Sequence, residues 1–258
     1  MAEVSRDGVR LHYVGAGSGD PPLVFVHGWC CDHTFFQPQF EHFKSSHRVV
    51  TLDLRGCGRS DRPEDGYDIP SQADDVAALC RKLGLSRAVI VGHSLGGMIA
   101  IELAAREPSL VGAVVSVDPG PIDPLPSIVQ VFEALIAQLE GPDSEAARLA
   151  YVEALFLPTD DPHLRRRVVE TMCSVPASIA VAVLRGVVAW NGVGAFTAVN
   201  APTLILRSRP GGSNDPTRLL ALRPDVTVGV TVGSGHFNQL EVPEQVTPMI
   251  ERFVRIAT

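Results

Sequence analysis

Apolar and polar residues alternate over residues 9–14, the period of a half-buried strand, here read as an edge strand in a hairpin. Residues 23–26 (Leu-Val-Phe-Val), 48–52 and 87–91 are instead short continuous apolar runs. Such runs suit strands buried on both faces of a parallel sheet. Over 71–83 the period changes to that of a helix: Val76, Leu79, Cys80 and Leu83 share one face, and Gly84 stops the run. A helix-like run follows over 98–106, then further strands at 112–117, 203–206 and 226–232 and a final helix over 245–256. Strands alternating with helices predict an α/β fold, with a mostly parallel twisted sheet, right-handed crossovers and helices on both faces. No internal repeat interrupts this order.

Between 119 and 200 the rhythm breaks. A proline-rich stretch, Asp118 to Pro126, leaves the sheet, and helix-like segments follow at 127–139, 144–156, 162–173 and 177–189. The chain therefore divides into a core, 1–118 and 201–258, and a helical cap or lid insert, 119–200. An insert at this point is expected over the carboxyl edge of the sheet, where it can supply substrate contacts. Val129, Phe132, Leu135, Ile136, Phe156 and Val187 are its candidate pocket or core residues, and Trp190 either closes the pocket or packs in the core.

The densest chemistry lies where the 87–91 strand meets the next helix, at Gly92-His93-Ser94-Leu95-Gly96-Gly97. A serine on so sharp a turn needs very small neighbours, which Gly92 and Gly96 provide, and the helix amino terminus behind it offers free N–H groups to a developing oxyanion. A serine hydroxyl is a poor nucleophile without a base. Of the eight histidines, His236 follows the last strand in a small-residue loop, Gly233-Ser234-Gly235-His236-Phe237, from which it can reach the same sheet edge. The loop His27-Gly28-Trp29, after the strand 23–26, can turn the Trp29 N–H toward the point addressed by the Leu95 N–H, making an oxyanion hole. His27 and His93 are read as shaping these loops.

Composition narrows the setting. The 258-residue chain is 45% hydrophobic and 20% charged with a net charge of −7, which argues against a nucleic-acid binder and against a polybasic membrane-binding surface on the chain. The charged start lacks the apolar core of a signal peptide, and no apolar run approaches a membrane span, so a cytoplasmic location is expected. The five cysteines form no disulfide framework and no metal-binding spacing, and Cys30-Cys31-Asp32-His33 is a poor tetrahedral ligand set. No metal or cofactor is expected.

Together His27-Gly28-Trp29, the run Asp53 to Asp61, Gly92 to Gly97 and Gly233 to Phe237 resemble the α/β-hydrolase superfamily, over nearly the whole chain. They are similar to its branch of small esterases, lactonases, carbon–carbon hydrolases and cofactor-free haloperoxidases. The resemblance implies that Ser94 attacks a carbonyl, His236 shuttles the proton, Trp29 and Leu95 stabilise the oxyanion, and the Asp53–Ser60 loop is structural, tied by Arg55. A serine at this place speaks against the epoxide hydrolase and haloalkane dehalogenase branches, which use aspartate. The acid orienting His236 has two positions in the family. After the 203–206 strand this chain has Arg207 to Gly212 with no aspartate, and Asp215 comes late, well placed to cap a helix at Pro216. After the 112–117 strand stands Asp118, the favoured acid, although a residue before Pro119 also suits a turn. With Asp118 in that role the glycines at 211 and 212 are free to vary.

These readings point to a serine hydrolase acting on a small hydrophobic ester or lactone. Two other classes compete. The run His27 to His33 also resembles the entry loop of cofactor-free ring-cleaving dioxygenases, and the fold also serves non-catalytic ligand binding.

Overall fold

A computed structural model describes residues 2–208 and 213–258. The glycines at 211 and 212 lie outside the described residues. Eight strands form one sheet: β1 (Ala2–Arg6), β2 (Val9–Ala16), β3 (Leu23–Val26), β4 (Val49–Leu52), β5 (Ala88–His93), β6 (Val111–Val117), β7 (Thr203–Arg207) and β8 (Thr227–Val230), in spatial order β1-β2-β4-β3-β5-β6-β7-β8. β1 and β2 form an antiparallel hairpin that joins antiparallel to β4, and every pairing from β4 to β8 is parallel. The charged start of the chain is thus itself the edge strand. The predicted strand at 9–14 lies one place further in, because its carboxyl half also pairs with β4.

The continuous apolar runs are buried from end to end in β3, β4, β5 and β6 because helices cover both faces of the sheet. Side chains alternate between two cores. Leu23, Phe25, Val89 and Val91 face Phe40 and Phe43 of α1 (Gln37–Phe43) and Ile250 and Phe253 of the last helix, Pro243–Ala257. Val24, Val26 and Ile90 face the other way, toward α2 (Ile69–Lys82) and α3 (Leu95–Arg106). In α2, Asp68 caps the first turn by accepting from Ser71 N–H at 2.8 Å, which starts the helix two residues before the predicted 71. β8 is shorter than the apolar run 226–232 and is not buried, since Val230 and Val232 end in solvent at the edge of the sheet.

Between β6 and β7 run α4 (Pro126–Leu139), α5 (Ser144–Glu153), α6 (Pro162–Cys173), α7 (Ala177–Ala189) and α8 (Gly192–Ala198). β7 is followed by α9 (Pro216–Leu222), and β8 by α10 (Asn238–Glu241) and then α11, the last helix. The short helices α1, α8, α9 and α10 escape the sequence pattern, being too brief to show a helical period. Among the described residues no single helix is long and apolar enough to cross a membrane, and the one pair that passes together, α6 with α7, is bent by 93°.

The β5–α3 junction is the tightest part of the sheet. A Cβ on Gly96 would stand 2.1 Å from the Val26 carbonyl oxygen, and one on Gly92 would stand 2.0 Å from the Gly96 carbonyl oxygen. The obstructing atoms are backbone, so the first cannot move aside without parting β3 from α3, nor the second without parting β5 from α3. Gly96→Ala is expected to cost about 3 kcal/mol or more of folding stability. Urea unfolding measures this, and a cost below about 1 kcal/mol would show that the junction yields.

Candidate active site

Ser94 stands between β5 and α3 with φ 53° and ψ −115°, a strained backbone for a non-glycine residue. Its N–H donates to Val117 O at 2.9 Å, and its carbonyl accepts from Gly97 and Gly120 N–H at 3.0 and 3.2 Å, so the strain is held by β6, the loop just past it and the first turn of α3. Leu95 opens α3, and a helix has no internal acceptor for its first N–H. Across from it, Gly28-Trp29-Cys30-Cys31 forms a turn closed by Cys31 N–H to Gly28 O at 3.2 Å, with Cys30 at φ 56°. A positive φ at the third residue is the geometry of a type II turn, which leaves the second residue's N–H, that of Trp29, outside the closing bond. His27 holds the turn in place. Its Nδ1 donates to Gly28 O at 2.8 Å and its Nε2 accepts from Leu54 N–H at 2.9 Å. Burial lowers the pKa of His27, so the imidazole stays neutral in this role.

His236 and Asp118 meet at the carboxyl ends of the sheet. His236 Nδ1 donates to Asp118 Oδ2 at 2.7 Å. Ser208, just past β7, donates its N–H to Asp118 Oδ1 at 3.0 Å and its hydroxyl to Oδ2 at 2.9 Å. Burial alone would raise the Asp118 carboxyl, but the hydrogen bonds and charge of His236 and the two Ser208 donors outweigh it and hold the group below the ordinary carboxylate range. An ionised acceptor fixes the proton on Nδ1 and leaves the Nε2 lone pair of His236 free. The His236 backbone is pinned as well: its N–H donates to Leu155 O at 2.9 Å and its carbonyl accepts from His93 Nε2 at 2.9 Å. His93 is buried, which lowers its pKa to about 3 and keeps it a neutral donor.

Asp215 is elsewhere engaged. It caps α9, accepting from Thr217 N–H at 2.8 Å. Ser208, which completes the coordination of Asp118, carried no signal in the sequence, because serine after a strand is common. Glu241 was likewise unsignalled. Its carboxylate accepts from the Gly235 and Phe237 N–H groups that flank His236, the latter at 3.0 Å.

Ser94, His236, Asp118, Trp29 and Leu95 all line one cavity of about 200 Å³ between the sheet edge and α4 to α7. Its walls are apolar, with Met98, Phe132, Met172, Leu184 and Val187 among them. Phe132 and Val187 are thus wall residues, whereas Leu135 and Phe156 are packed in the core. Trp190 is away from this cavity, donating to Glu102 Oε2 on α3 at 2.9 Å. Trp29 Nε1 donates to Ala180 O on α7 at 2.9 Å, which ties the turn at Gly28 to the roof.

The Cys30-Cys31-Asp32-His33 run does not converge on a metal. Asp32 caps the next turn, His33 bonds Asp53, and burial holds both thiols protonated. His12, His33 and Asp53 do lie within metal-ligand spacing of one another, but both rings donate through Nδ1 to Asp53 at 2.9 Å, which takes up the atoms that face a common point. Asp53 also anchors the loop to Ser60 through Arg59 N–H, while Arg55 pairs with buried Asp75 at 2.7 and 2.8 Å.

Comparison with known proteins agrees with this architecture. The profile of the family described as alpha/beta hydrolase fold matches residues 21–243. The chain belongs to that family. It is 30% identical over 260 residues, 95% of this chain and 92% of the other, to a 2-(acetamidomethylene)succinate hydrolase of Mesorhizobium japonicum. Its fold superimposes with a TM-score of 0.85 on a solved N-acyl homoserine lactone degrading enzyme, 28% identical, covering 98% of this chain and 100% of that one. An enol-lactonase from Burkholderia xenovorans, 19% identical, shares the fold at a TM-score of 0.88 over 98% of this chain and 100% of its own. The chain is a hydrolase by kinship.

Burial and the nearby charge of Asp160 push Glu241 up to about 7. The folded state therefore holds this proton more tightly than the unfolded chain, whose glutamate titrates near 4.5. Glu241 thus costs the fold stability as pH rises from about 4.5 to 7 and relieves it below. Urea unfolding at pH 5 and pH 8 should show a Glu241→Gln chain gaining about 2 kcal/mol relative to wild type at the higher pH. An unchanged difference between the two pH values would contradict this.

Proposed function

We propose that the chain is a serine hydrolase that cleaves a carboxylic ester or lactone of a small hydrophobic substrate through an acyl-enzyme. The observation that carries this reading is the 2.7 Å bond between His236 and an ionised Asp118, with His236 and Ser94 on one apolar cavity. His236 Nε2 takes the Ser94 proton as the hydroxyl oxygen attacks the substrate carbonyl, and a tetrahedral oxyanion forms. The Trp29 and Leu95 N–H groups stabilise it, each worth about 3 kcal/mol in such sites. Protonated His236 gives its proton to the departing alkoxide, leaving an ester on Ser94. Water, deprotonated by His236, then attacks that ester and restores the serine. Asp118 holds the imidazole in register and stabilises its charge without itself taking the proton.

The helices α4 to α8 act in this reading as a cap that roofs the cavity. Among the described lining residues there is no lysine or arginine, which favours a neutral substrate over a carboxylate. The names of the relatives, a hydrolase and lactone-degrading enzymes, support the same reaction type.

Hydrolysis of a short aryl ester tests the assignment. Ser94→Ala should lose about 10³-fold or more of kcat/KM, and Asp118→Asn about as much, because an amide NH2 turned toward His236 donates to Nδ1 and holds the ring in the wrong tautomer. Asp215→Asn should stay within a few-fold of wild type. Residual turnover by Ser94→Ala at the wild-type rate, or a collapse confined to Asp215→Asn, would overturn the assignment.

A further inference from the structure

One phenol on the cavity wall has no task in the reaction above. Tyr151 of α5 lines the cavity from the roof, and its hydroxyl makes no hydrogen bond to a described residue. The residue keeps accessible surface, yet burial alone pushes its phenol up to about 12. Surface that is accessible but removed from bulk water is surface facing the cavity. A buried tyrosine hydroxyl ordinarily finds a partner, because leaving it unpaired costs about 1–3 kcal/mol.

Most other polar wall groups are committed, the exceptions being the small hydroxyl of Ser213 and the buried Nδ1 of His93. Ser208 donates to Asp118, His93 Nε2 donates to His236 O, and Cys31 Sγ donates to Trp29 O at 3.3 Å. Packing does not require a hydroxyl here, since Phe132 and Phe237 line the same cavity without one. The ring of Tyr151 is held firmly. It meets Trp29 edge-on at 5.7 Å and 87°, Trp29 is pinned to Ala180 O, and Leu155 O, just beyond α5, accepts from His236 N–H. The hydroxyl is therefore a fixed donor, one aromatic ring away from the turn that carries the Trp29 N–H.

We infer that Tyr151 is a specificity-determining residue whose hydroxyl donates to a second oxygen of the substrate, so that the preferred substrate is a neutral ester or lactone that also carries a keto or amide carbonyl. This rests on the hydrolase reading above. The phenol stays protonated over the working pH range and so seeks an acceptor. A carboxylate is a poor candidate for that acceptor, because no described lining residue is a lysine or arginine that could meet it.

The test compares p-nitrophenyl hexanoate with its oxohexanoate isomers, in which a carbonyl replaces one methylene at successive carbons. Wild type should favour at least one keto isomer over the plain ester by about tenfold or more in kcat/KM, and Tyr151→Phe should bring that ratio close to unity. The inference is overturned if no isomer is favoured, or if the preference survives in Tyr151→Phe. Failure of the hydrolase reading looks different: no ester is turned over in a Ser94-dependent way. Calorimetric titration with N-hexylacetamide then decides the role of Tyr151 without turnover. An affinity about tenfold weaker in Tyr151→Phe supports it, and equal affinities refute it.

Discussion

The hydrogen bond from His236 to Asp118 joins residues 118 positions apart, and the geometry of the site depends on it. Asp118 directly follows β6 with φ 40°, its N–H bonded to Leu206 O of β7 at 2.6 Å, so its carboxylate is placed from the ends of two neighbouring parallel strands. Three donors then fill its lone pairs, one of them the imidazole. A buried carboxylate tolerates its loss of water only when so supplied, and the same donors keep it charged. The imidazole is thereby left with one nitrogen outside this bond, and His236 and Ser94 line the same cavity.

The backbone does comparable work on the serine side. Strain at Ser94 persists because bonds from β6, the loop past it and α3 over-determine its position and because glycines at 92 and 96 let α3 press against β3 and β5. The roof is tied to both halves of this arrangement, through Trp29 to α7 and through His236 to Leu155 beyond α5. The helices over the cavity and the loops that carry Trp29 and His236 are thus joined by direct hydrogen bonds.

Much of this is legible in the order of residues. The buried strands announce themselves as unbroken apolar runs, since a sheet covered on both faces has no polar side to show. Ser94 and His236 stand out because their glycine-rich surroundings make sense only at sharp turns. Asp118 and Asp215 are harder to separate: both precede a proline, and either could orient an imidazole or cap a turn. The difference lies in long-range contacts, with Asp215 spent on Thr217 N–H and Asp118 meeting Ser208 and His236. Ser208, Glu241 and Tyr151 carry no local signal at all. Each matters through partners brought to it by strand order and helix packing, which no window of sequence contains. The short helices were invisible for the same reason, because tertiary packing and not periodicity sustains them.

The central claim is that Ser94 is a nucleophile activated by His236. Intact-mass and peptide mass spectrometry after treatment with a p-nitrophenyl alkylphosphonate, which phosphonylates activated serines, tests it most directly. The account predicts one phosphonyl group per chain, carried on Ser94, and almost none in a folded His236→Ala chain. A chain left unmodified, labelled at another residue, or labelled equally fast without His236 would contradict it.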